Sequence, residues 1–189
     1  ALDLKGPNLA LTASCSSGLV ALHQACLALR QGDCEMALAA GVNLLISPMG
    51  YVGLNQYGML SPNGKCRVFD QRANGLVPGE AVAVVLLKPL SQAISDGDRI
   101  YGSIKASGVN YDGKTNGITA PNPVSQAELI KGIYDKYQID PARIQYVLSH
   151  SVGSKLGDPI EFEALNDSFQ HYTGKKQYCY LGSIKPLIG

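Results

Sequence analysis

Apolar residues fall in two kinds of block along this chain of 189 residues. In the first kind they recur at helical spacing. Leu19, Val20, Leu22, His23, Cys26, Leu27 and Leu29 follow that period and predict a helix over 17–31, with Ser16 and Ser17 as N-cap residues and Gly32-Asp33 as its end. Leu129, Ile130, Ile133 and Tyr137 predict a second helix over 125–137. Further helices are predicted over 90–96 and 157–172, and Asp140 before Pro141 opens a short helical turn.

In the second kind the apolar residues are continuous, as in strands covered on both faces. Such runs predict strands over 9–12, 36–45, 81–88, 100–111, 144–149 and 178–183. The intervening 46–80 is rich in Gly, Pro and Asn and predicts long loops with one short helix, while 112–122 reads as a polar turn region. Strands alternating with helices, with apolar strands throughout, predict an α/β layered fold. No repeat, low-complexity tract or linker divides the chain into autonomous domains.

Composition narrows the function classes. Hydrophobic residues make up 46% of the chain, enough for a sizeable core. A net charge of +1 argues against a nucleic-acid partner or an anionic membrane surface. No apolar run reaches the roughly 18 residues of a bilayer span, and the opening Ala1-Leu2-Asp3-Leu4-Lys5 does not read as a signal peptide. Five cysteines without Cys-x-x-Cys spacing point away from a metal site and towards a reducing, cytoplasmic setting.

Three residues invite chemistry. Cys15 lies at the turn from strand 9–12 into helix 17–31, where the positive end of the helix dipole and free backbone N–H groups favour a nucleophilic thiolate and an oxyanion beside it. The local pattern equally allows a buried structural cysteine. His150 sits at the end of strand 144–149 and Lys185 just past strand 178–183. Each admits a structural reading beside a catalytic one. His23, in mid-helix, and His171, at a polar helix end, read as structural.

The segment 12–19 (TASCSSGL) resembles the nucleophile segment of the β-ketoacyl synthases, the condensing enzymes of fatty-acid and polyketide assembly. Segments 41–48 (GVNLLISP), 59–70 (MLSPNGKCRVFD), 73–81 (ANGLVPGEA), 110–121 (NYDGKTNGITAP), 150–161 (HSVGSKLGDPIE) and 182–185 (GSIK) resemble the same family in the same order. The 59–70 segment and the Gly157–Glu161 block resemble polyketide synthases. The wording of 77–81 (VPGEA) resembles modules served by a separate acyltransferase.

The resemblance implies a thiolase-like α/β fold of which these residues are the central part of one ketosynthase domain, without its N-terminal segment and C-terminal end. It implies that Cys15 receives an acyl chain from an acyl carrier protein, and that decarboxylative condensation with a malonyl unit follows. It assigns His150 to the malonyl thioester oxygen, Lys185 to the charge around the histidines, and Glu161 to a network in which it pairs with Lys185. Asp158 remains a candidate N-cap of helix 157–172. The chain itself is expected to bind no cofactor and no metal, since its substrates arrive on phosphopantetheine. A homodimer through the complete domain is expected.

Two departures stand out. Where the family carries His-Gly-Thr-Gly-Thr, this chain has His150-Ser151-Val152-Gly153-Ser154, so that of the two hydroxyls facing the carrier arm Ser154 keeps one and Val152 loses the other. After Lys185 come Pro186 and Leu187 instead of a hydroxyl residue and Asn. These changes raise an alternative to ordinary condensation, a ketosynthase that only transfers or branches the acyl chain; a rival of another class is a catalytically silent structural or docking domain, against which the retained Cys15, His150 and Lys185 argue. The Gly157–Glu161 block disfavours a thiolase.

Overall fold

In the computed structural model, residues 3–117 and 120–189 are described. Ala1 and Leu2, and Ile118 and Thr119 of the 110–121 motif, lie outside the described residues. The chain folds as two compact units, one built from residues 1–43 and 81–109, the other from 44–80 and 110–189.

The first unit contains α1 (Ser17–Gln31), β1 (Ala37–Asn43), β2 (Ala81–Leu87) and α3 (Leu90–Ser95); α2 (Met49–Gln56) belongs to the second. Helix α1 ends in a left-handed Gly32, φ +81°, with Asp33 N–H donating to Ala28 O at 3.0 Å, the closure expected of Gly32-Asp33. Strands β1 and β2 pair antiparallel, from Ala37 opposite Leu87 to Asn43 opposite Ala81. Helix α1 lies directly on β1: a Cβ at Gly41 would sit 3.5 Å from Gly18 Cα, and Cys26 and Ala39 are buried there. The small residues of β1 therefore serve close helix–strand approach.

Two expectations fail in this unit. Residues 9–12 and 100–111 form no ladder among the described residues, and β2 is exposed, with Val82 at 65% and Leu86 at 64%. The physical reason is shared. A strand needs a neighbour on each edge and a layer on each face to be buried, and among the described residues β1 and β2 have no other strand beside them. The segment 100–109 is tied locally, through Ser107 Oγ and His23 Nδ1 at 2.9 Å.

The second unit also contains α4 (Pro123–Tyr137), β3 (Tyr146–Leu148), α5 (Gly157–Tyr172), β4 (Tyr180–Gly182) and α6 (Lys185–Ile188), with a 3-10 turn at Pro141–Arg143. Helix α4 starts two residues earlier than predicted. Asn122 caps it, its Oδ1 accepting from Val124 N–H and Ser125 N–H, with Pro123 at the first position. Asp140 caps the short turn through Ala142 N–H at 2.9 Å.

Helix α5 runs over the predicted residues and packs on α4 through Ala127, Ala164 and Ser168. Tyr134 meets Phe169 and Tyr172 edge-on, each at 6.0 Å between ring centres. Strands β3 and β4 pair in parallel, with Tyr146 opposite Tyr180 and Leu148 opposite Gly182. Helix α5 is the crossover between them. His150 and Lys185 thus both follow the carboxyl ends of neighbouring parallel strands, the place where open α/β sheets form sites.

Replacing Asn122 by Ala should lower stability by about 1 kcal/mol, the usual worth of an N-cap. Asn122→Asp, which retains the accepting oxygen, should recover most of it. Urea midpoints of the two variants check this. Equal midpoints for the Ala and Asp variants would refute the capping role.

Candidate active site

Cys15 belongs to the first unit. It is exposed, in the middle of a 3-10 turn at Ser14–Ser16 that leads into α1. Ser14 has φ +49°, a left-handed conformation that costs on the order of 1 kcal/mol for a residue with a side chain. The predicted serine caps do something else. Ser16 Oγ donates to Ala13 O at 2.7 Å, and Ser17 Oγ donates to Ser14 O and accepts from Ala13 N–H. No side chain caps α1. The two hydroxyls close the turn that presents Cys15 and leave the first N–H groups of α1 without a side-chain partner, a local field that favours an anion.

The second unit brings together His150, Glu161, Lys185, Val152 and Ser154. The loop from 150 to 154 hangs on two carboxylates of α5. Asp158, 2% exposed, accepts from four backbone N–H groups: Val152 at 3.2 Å, Gly153 at 3.2 Å, Ser154 at 3.1 Å and Phe69 at 3.0 Å. One turn later, Glu161 accepts from His150 N–H at 2.7 Å and from Ser151 Oγ at 2.7 Å. The spacing of three residues places both carboxylates on one face of the helix.

Lys185 completes the arrangement from the start of α6, just past β4. Its Nζ donates to the His150 carbonyl at 2.6 Å and lies 3.4 Å from His150 Nδ1. Its backbone N–H donates to Ser183 Oγ, which donates to Ser151 O. Partial desolvation pushes the His150 pKa below its ordinary value although the residue keeps an exposed edge; the Lys185 ammonium pushes the same way, and Glu161 and Asp158 oppose it. The shift favours the neutral imidazole. Lysine can only donate, so the Nδ1 atom facing it is the acceptor and Nε2 carries the proton.

The geometry corrects two expectations. Glu161 and Lys185 make no ion pair among the described residues; both bind His150 instead, the carboxylate at its N–H and the ammonium at its carbonyl. Asp158 is no N-cap. It is the second residue of α5, and its oxygens are turned back onto the loop. Ser154 Oγ accepts from Gly157 N–H at 2.8 Å, so one of its lone pairs serves the start of α5 while its proton is left for a ligand. Val152 offers its carbonyl to Cys66 Sγ, 3.4 Å away, and its side chain is half-buried. Burial, then Asp158, push the Cys66 thiol up, while Lys185 opposes them.

Sequence reasoning missed Ser151, Ser183 and the contact of this loop with 66–69. The signal for the last is Gly153. Its φ is +82°, and a Cβ there would stand 2.9 Å from Arg67 N. Beside the loop opens a cavity of about 560 Å³, bordered by Phe69, Ser154, Asp158 and Phe162 among others.

Residues 1–93 match the family model for the β-ketoacyl synthase N-terminal domain, and residues 101–189 that for its C-terminal domain. The chain belongs to the β-ketoacyl synthase family. Its relatives include polyketide synthase PksM of Bacillus subtilis, 72% identical over 189 residues, and polyketide synthase ThaG of Burkholderia thailandensis, 51% identical over 188 residues. Both matches cover 100% of this chain, but only 4% and 3% of those much longer proteins.

Among solved structures, the ketosynthase from module 6 of the Bacillus subtilis bacillaene synthase superposes with a TM-score of 0.91 at 51% identity, over 93% of this chain and 32% of that one. The Streptomyces albus oxazolomycin ketosynthase domain OzmH KS7 does so with a TM-score of 0.95 at 41% identity, over 99% and 32%. The ketosynthase fold is the thiolase-like α/β fold, and the two units here are a fragment of it.

Asp158→Asn would turn an amide NH2 towards backbone donors that need acceptors. It should destabilise the protein by on the order of 2 kcal/mol, the cost of leaving buried N–H groups unpaired. A comparison of denaturation midpoints with Asp70→Asn, whose carboxylate bonds exposed Arg72, measures this. Indistinguishable midpoints would contradict the anchoring role.

Proposed function

We propose that the polypeptide carrying these residues is a polyketide β-ketoacyl synthase. Cys15 takes an acyl chain from an acyl carrier protein as a thioester, and decarboxylative condensation with a malonyl unit on a carrier protein follows. The observation that carries the reading is the Lys185–His150 contact, because it leaves a neutral imidazole with Nε2–H as a donor.

In the first step the Cys15 sulfur attacks the carrier-bound acyl carbonyl and expels the carrier thiol, with the N–H groups at the start of α1 near the developing oxyanion. The malonyl C–C bond to the carboxylate then breaks. Carbon dioxide leaves, and the electron pair becomes an enolate whose oxygen is met by His150 Nε2–H. The enolate carbon attacks the acyl carbonyl, forming the new C–C bond and releasing the Cys15 thiolate.

Lys185 holds His150 neutral and in the required tautomer, and Glu161 holds the His150 backbone. Ser154, on the rim of the 560 Å³ cavity, donates its hydroxyl proton to the pantetheine arm, and Val152 gives that arm an apolar wall. No cofactor of the chain's own enters this scheme. Carrier proteins, a second copy of the complete domain and a separate acyltransferase are its partners. The five free cysteines suit a cytoplasmic setting, and among the described residues no helix is long and apolar enough to cross a membrane.

Cys15→Ala should abolish acyl loading read by intact mass, whereas His150→Ala should keep loading and slow carbon dioxide release from malonyl-carrier protein by about 100-fold or more, the scale of losing one oxyanion donor. Loading at the wild-type level in Cys15→Ala, or unchanged carbon dioxide release in His150→Ala, would overturn the reading. An unloaded wild-type protein would favour a silent docking domain.

A further inference from the structure

Glu161 is tethered at both of its oxygens. Oε1 accepts from His150 N–H and Oε2 from the hydroxyl of Ser151, which is itself 2% exposed. The ammonium of Lys185 stands on the same residue from the other side, 2.6 Å from the His150 carbonyl. Carboxylate and ammonium therefore flank the same residue, one at its N–H and the other at its carbonyl. A doubly charged hydrogen bond is stronger than an ammonium–carbonyl bond, so a Glu161 carboxylate free to turn would attract Lys185. What tethers its second oxygen is the Ser151 hydroxyl.

We propose that Ser151 is a positioning residue that decides where the Lys185 ammonium rests: by holding Glu161 Oε2 it keeps the carboxylate from pairing with Lys185 and leaves the ammonium against His150. The backbone supports this division. Ser183 Oγ bonds both Ser151 O and Lys185 N–H, so the main chain of Lys185 is pinned beside Ser151 and only its side chain is free to choose a partner. The charged groups acting on His150 are Lys185, Glu161 and Asp158. Asp158 is fully engaged by backbone N–H groups and stays where it is. Removing the Ser151 hydroxyl thus releases one oxygen of Glu161 and offers Lys185 a carboxylate partner.

The consequence for catalysis rests on the proposed role of His150, but the arrangement is testable without turnover. Diethyl pyrocarbonate modifies neutral imidazole, and peptide mass spectrometry of the full polypeptide follows its rate at His150 as a function of pH. In Ser151→Gly and in Ser151→Ala, which keeps more of the volume, the His150 midpoint should move to higher pH than in the wild type, while the profiles of His23 and His171 stay put. In Ser151→Gly with Glu161→Gln, where Lys185 has no carboxylate to turn to, the midpoint should fall to the wild-type position or below it. An unmoved midpoint in both single variants, or a raised one in the double variant, would overturn the proposal. If the shift occurs but carbon dioxide release keeps its wild-type pH profile, the positioning stands and the decarboxylation role of His150 falls.

Discussion

Four backbone N–H groups converge on the Asp158 carboxylate, three from the 152–154 loop and one from Phe69. A buried carboxylate is tolerated only when its charge is met by donors, and a loop with buried N–H groups is tolerated only when they find acceptors. Each solves the other's problem. The loop is thereby fixed to α5, and the 66–69 segment is fixed to the loop. The left-handed Gly153 allows the backbone to come this close to Arg67. Glu161 repeats the device one turn later for His150 and Ser151. His150 is consequently held by its backbone, so its ring does not depend on its own packing for position.

The parallel pairing of β3 with β4 supplies the other half. Leu148 opposite Gly182, followed by Ser149 N–H donating to Gly182 O at 2.8 Å, fixes the register in which the chain leaves both strands. Lys185 then meets His150, and Ser183 joins the two exits. A one-residue slip would turn every side chain to the other face and separate the ammonium from the imidazole. In the first unit a comparable local economy operates. Ser16 and Ser17 close the turn around Cys15, which leaves the start of α1 without side-chain caps.

The features governed by neighbours in sequence were the legible ones. Helices α1 and α5 occupy the predicted residues because apolar period, Gly32 and the Gly157-Asp158-Pro159 start are local signals. The turn carrying Cys15 and the strand ends carrying His150 and Lys185 were legible for the same reason. Ladders at 9–12 and 100–111 were not, since apolar continuity states that a segment suits a strand but not that a partner lies beside it. Serine and acidic residues misled most. Ser16, Ser17, Asp158 and Glu161 each have several acceptors or donors within reach, and only the folded chain selects among them. The Glu161–Lys185 pair, attractive by charge alone, lost to the Ser151 hydroxyl and the His150 backbone.

In the proposed reaction the ammonium of Lys185 keeps His150 a neutral donor for one step only. Lys185→Met in the full polypeptide tests this most directly, with acyl mass on Cys15 and carbon dioxide release from malonyl-carrier protein measured side by side. The expected result is normal acyl loading with carbon dioxide release slowed and its pH profile displaced. Unchanged carbon dioxide release, or equal loss of both steps in a folded protein, would contradict that role.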